Sequence, residues 1–158
     1  MKKLIPLFFV MILSFSACSA ASPPDLGNDF TYEATVNFND VSYKAEIDYH
    51  DNIVYFTPTS TNASGMTISC DGSIVTYSYD NMINTSDMTK VSPSNPCVAL
   101  YEIITEFHQS DIKSNDELYT VDGTVTAGNF TLVLNTDGKI ISIDIPDINL
   151  YILFTQKN

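Results

Sequence analysis

The chain has 158 residues, 44% of them hydrophobic and 16% charged, enough for one domain with a real core. Nineteen acidic residues stand against seven basic ones, all lysine, for a formal net charge of −12. Such a field excludes nucleic acid and anionic surfaces as general partners, and the lack of arginine removes the usual bidentate clamp for phosphate or carboxylate.

Lys2 and Lys3 open the chain, and an apolar run from Leu4 to Phe15 follows, broken by Pro6. Ser16 and Ala17 then close it, so residues 1–17 have the plan of a secretory signal peptide. The run is about twelve residues, short of the roughly twenty that span a bilayer. The segment FSAC, residues 15–18, resembles a bacterial lipobox, in which small residues precede a cysteine that receives diacylglycerol. The resemblance implies lipid attachment at Cys18, with the chain exported and held on the outer face of the cell membrane. Ordinary cleavage at an A-x-A-like site, residues 17–20, is the alternative. Residues 18–29 are small, polar and Pro/Gly-containing, a flexible tether reaching about 18 Å. One acyl chain binds a membrane marginally, whereas two anchor it stably. The Lys-only, Asn- and Ile-rich composition suggests an AT-rich Gram-positive source.

From Phe30 the pattern becomes strict alternation. Phe30, Tyr32, Ala34, Val36 and Phe38 are apolar between polar neighbours, the mark of a half-buried strand. Tyr43, Ala45, Ile47 and Tyr49 repeat it, and Asp51-Asn52 turns the chain into IVYFTP. Met66, Ile68 and Cys70 form the next apolar face, Asp71-Gly72 is a hairpin turn, and SIVTYSY returns. The first half is thus a meander of about five strands.

Residues 80–95 lose alternation and read as a loop with at most one helical turn. Asn95-Pro96 starts the one clear helix, since asparagine caps and proline suits the first helical position. Leu100, Ile103, Ile104 and Phe107 form its apolar stripe, and its end falls near residues 108–110. Four more strands follow, with Asp-Gly turns expected at Asp122-Gly123 and Asp137-Gly138. Phe130, Leu132 and Leu134 alternate with polar positions, as do Ile141, Ile143 and Ile145, and then Leu150, Ile152 and Phe154.

A nine-strand sheet curls, and its apolar face must be covered. The expected fold is therefore mostly β (α+β): a curved antiparallel sheet of about nine strands, an open half-barrel, with one amphipathic helix on its concave face across a single domain, residues 30–158. This order resembles the LolA/LolB and LppX/LprG-like half-barrel carriers of bacterial envelopes, most locally in residues 63–80 and 129–147. The resemblance implies a lipid or other apolar ligand held between sheet and helix.

Candidate lining residues are Tyr32, Val36, Phe38, Tyr43, Ile47, Ile68, Tyr77, Leu100, Ile104, Phe107, Phe130, Leu132 and Ile143; alternatively the same side chains fill a solid core. Cys70 and Cys97 could bridge in an exported chain, closing a loop worth roughly 3 kcal/mol. Ser110 and Lys113 match S-x-x-K without the companion elements such enzymes need, and there is no G-x-S-x-G or H-E-x-x-H. Glu46, Asp48 and His50 share one strand face with Lys44, which reads as a solvated side and not a metal row. No catalytic residue, metal or cofactor is therefore expected. The expectation is a monomeric, non-enzymatic lipoprotein binding an apolar ligand. Its rival is a tethered module for an envelope protein partner, and an extracytoplasmic hydrolase ranks last.

Overall fold

The computed structural model describes residue 26 and residues 29–107, 112–115 and 118–156. The chain is mostly β. Strands β1 (Phe30–Phe38), β2 (Val41–His50), β3 (Ile53–Pro58), β4 (Met66–Cys70), β5 (Ile74–Tyr79) and β6 (Met82–Asp87) form a first meander. A 3-10 turn, Met88–Lys90, leads to helix α1, Pro96–Thr105. A second meander follows: β7 (Ile112–Asn115), β8 (Leu118–Val125), β9 (Gly128–Asn135), β10 (Ile140–Ile145) and β11 (Leu150–Gln156).

All eleven strands lie in one unclosed antiparallel sheet, in the order β6-β5-β4-β3-β2-β1-β11-β10-β9-β8-β7. The two meanders join where β1 pairs with β11, from Tyr32 opposite Gln156 to Phe38 opposite Leu150. The turns obey local chemistry. Asp51 and Asn52 both take positive φ, as a two-residue hairpin of the favoured hand requires. Asp71 Oδ1 accepts from the N–H groups of Ser73 and Ile74 at 2.8 and 2.7 Å and so shapes the β4–β5 turn.

One face of the sheet carries the core. Val36, Ile47, Val54, Leu132, Ile143 and Ile152 are fully buried there, each from a different strand, together with Leu100 and Ile103 of α1. The helix packs on β3 and β4 and also touches β8. Asn95 Oδ1 caps it by accepting from the Cys97 N–H at 2.9 Å, and Glu102 ties it to the β8–β9 hairpin by accepting from the Thr126 N–H at 2.8 Å.

Four expectations change. Residues 82–87 are a strand, not a loop: β6 is an edge strand largely exposed on both faces, so nothing imposes alternation and backbone pairing alone makes it. Likewise β7 lies where a helix exit was expected, and α1 stops at Thr105, with Phe107 already beyond it. Asp122-Gly123 is not a turn. It sits inside β8 opposite Thr131 and Phe130, and the chain reverses between Val125 and Gly128. A Cβ at Gly123 would stand 2.6 Å from the Phe130 ring, so the glycine makes room for an aromatic cross-strand neighbour. Finally Leu26, inside the segment read as tether, is buried in the core.

Candidate functional site

The candidate lining residues separate into two groups. Tyr32, Val36, Ile47, Ile68, Leu100, Ile104, Phe130, Leu132 and Ile143 are buried in one continuous core. Phe38, Tyr43, Tyr77 and Phe107 are only half-buried at its margin. Tyr43 stacks edge-on against Phe56 at 6.3 Å, and Tyr32 against Phe154 at 5.5 Å. Burial raises the hydroxyl pKa of both tyrosines.

Phe38 and Tyr77 do meet in open space. They line a cleft of about 570 Å³ at the start of α1, bounded also by Asn84 and Ser86 of β6 and by the segment from Lys90 to Pro96. Tyr77 and Asn84 are direct cross-strand partners, and Tyr77 shares a face with buried Val75. The Tyr77 hydroxyl accepts from Asn95 Nδ2 at 3.1 Å. Asn95 therefore serves both the helix cap and the cleft wall. Val41 lies opposite Phe38, and Met82 opposite Tyr79, on this same helix-bearing face. They are 57% and 66% exposed, and Tyr79 is 41% exposed. The apolar face thus runs out uncovered past the helix.

Sequence patterning identified Phe38, Tyr77 and the Asn95-Pro96 start, but not Asn84, Ser86, Lys90 or Val91. Those four come from the edge strand and the turn after it, where no buried face sets a period. Two further hollows lie elsewhere. One of about 410 Å³ is bordered by Glu33, Lys44 and Glu46, and one of about 470 Å³ lies beside Gly123 and Phe130.

Cys70 and Cys97, the pair that could bridge, are both buried free thiols in this structure. The Cys97 thiol donates to the carbonyls of Val54 and Ile68 at 3.6 and 3.5 Å, and the Cys70 thiol contacts Met88 Sδ at 3.8 Å. Burial, with Cys70 nearby, pushes the Cys97 thiol well above its ordinary range. Such a thiol is packing material, not a nucleophile.

Among the described residues, no helix is long and apolar enough to cross a membrane. His50 stacks flat on Tyr55 at 4.6 Å, and Lys113 is paired with Asp122 at 2.6 Å. Ser110, like Cys18 and the leader, lies outside the described residues. No known protein-family model matches this chain, and no curated protein sequence matches it.

Proposed function

We propose that the chain is a membrane-anchored extracytoplasmic lipoprotein, non-enzymatic, that binds a lipid or other apolar ligand between its helix and a half-barrel sheet. The cleft of about 570 Å³ carries this reading: it opens on the helix-bearing face and is walled by Phe38, Tyr77, Val91 and Pro96. Its size falls within the range of small-molecule sites.

The half-barrel is supported by the helix contacts. β4 and β8 stand seven places apart in the sheet, about 34 Å if it were flat. A ten-residue helix is about 15 Å long, yet α1 touches both strands. A sheet bent toward the helix, with the helix on its concave face, accounts for both contacts. The anchor rests on the lipobox-like FSAC segment ending at Cys18.

A second reading, a tethered module for an envelope protein partner, is favoured by β6. This edge strand offers unpaired backbone groups and an Ile83 that is 71% exposed.

Intact-mass measurement on protein extracted gently from its own membrane tests both parts. A diacylated Cys18 with a retained lipid is the expected result. A diacylated Cys18 without adduct favours the interaction module. An unmodified amino terminus beyond Cys18 removes the anchor.

A further inference from the structure

We infer that the cleft takes a single-chain amphiphile with an anionic head, its chain against Phe38 and Tyr77 and its head at Lys90. This rests on the proposed apolar-ligand reading and adds the ligand's class to it.

Two observations carry the inference. The first is charge. In a chain with nineteen acids and seven lysines, the single charged residue lining the cleft is Lys90. Its ammonium makes no ion pair among the described residues. The nearby acid, Asp87, accepts at Oδ1 from the Thr89 N–H at 2.9 Å and the Thr89 hydroxyl at 2.5 Å, and its charge still acts on Lys90. The negative field of the remoter surface is screened beyond about 8 Å at physiological salt, so an anion in the cleft meets chiefly Lys90, with Asp87 beside it. Four apolar side chains among polar neighbours, with one cation at the side, match a ligand that is apolar along its length and negative at one end.

The second observation is size. About 570 Å³, at about 30 Å³ for a group the size of water, holds on the order of twenty such groups. One alkyl chain with its head is of that size. Met82 and Tyr79, exposed on the same face, give a longer chain somewhere to continue.

The test uses the full chain and four probes with the same twelve-carbon tail, measured by calorimetry: dodecanoate, lauroyl lysophosphatidylglycerol, dodecanol and dodecyltrimethylammonium. An exposed cation at the head contributes modestly, so dodecanoate should bind about two- to fivefold more tightly than dodecanol. The ammonium probe should be weakest, and raising salt should narrow the spread. Lys90→Gln should erase the gap, and Lys90→Arg should keep it. A lysolipid that matches dodecanoate assigns the head to a lipid headgroup; dodecanoate alone assigns it to a free fatty acid. Equal binding of dodecanoate and dodecanol, or a gap that survives Lys90→Gln, overturns the anionic head and leaves the apolar-ligand reading standing. No binding by any probe overturns both.

Discussion

The strands beneath the helix and the wing made by β5 and β6 are held by different forces. Beneath the helix, β1 to β4, β9 and β11 alternate between core and solvent, and Val36, Ile47 and Ile143 lose all contact with water. Hydrophobic burial fixes register there, because a slip of one residue would expose every core side chain. In the wing, six cross-strand pairs from Ile74–Asp87 to Tyr79–Met82 hold β6 in place, yet its side chains stay largely exposed. Backbone pairing does the holding, and the side chains are left for other uses. The candidate cleft sits where these regimes meet.

The sharpest way to break the contrast is to empty the centre. Ile103→Ala removes a fully buried side chain from the helix–sheet contact and should cost about 2–5 kcal/mol, read from the denaturant midpoint. A loss below about 1 kcal/mol would mean that the helix is not integral to the core.

Gly123→Val should follow, costing about 1–3 kcal/mol by driving a side chain into Phe130. Pairing it with Phe130→Leu should recover part of the loss. An additive double variant would rule out the steric account.

At the seam, Asn95→Ala removes the helix cap and the Tyr77 hydrogen bond together. About 1 kcal/mol is expected, and Asn95→Asp should retain most of the cap. Unchanged thermal melting in the alanine variant would argue that the cap is idle.

The β4–β5 turn sets a smaller, pH-dependent effect. The N–H groups of Ile74 and Ser73 hold the Asp71 carboxyl below its ordinary value of 3.8. The unfolded chain therefore takes up this proton first as acid is added. The contribution is complete above 3.8 and fades as pH falls through the depressed folded value. Because the site is exposed, the effect should stay under about 1 kcal/mol. Asp71→Asn should flatten this part of the stability profile between about pH 5 and about pH 2; an identical slope in both proteins would contradict the assignment.

Ile83→Thr, in the wing, should shift stability by less than about 0.5 kcal/mol. A cost of core size would show that β6 is buried in solution.

What could be read beforehand follows the same divide. β1, β2, β9 and β11 announce themselves because one face of each is wet and the other dry, whereas a bulge in β10 buries Ile140 and Ser142 in place of Ile141. The helix start is written in Asn95-Pro96. β6 is silent because Met-Ile-Asn-Thr-Ser-Asp faces solvent on both sides. Lys90 enters the cleft through that silent segment, so no periodicity could have marked it. Asp122-Gly123 misleads because a glycine that admits Phe130 looks, in one dimension, like a glycine that turns the chain. Strand order was equally hidden, since alternation assigns faces and not neighbours.

The pairing of β1 with β11 also governs when this molecule can become itself. Tyr32 meets Gln156, its partner from the far end of the described chain. The middle of the sheet is thus complete only once β11 has been made, and its loop-closure entropy is spent before the core repays it. A chain whose central seam waits for β11 keeps the two halves of its sheet apart until that strand has been made.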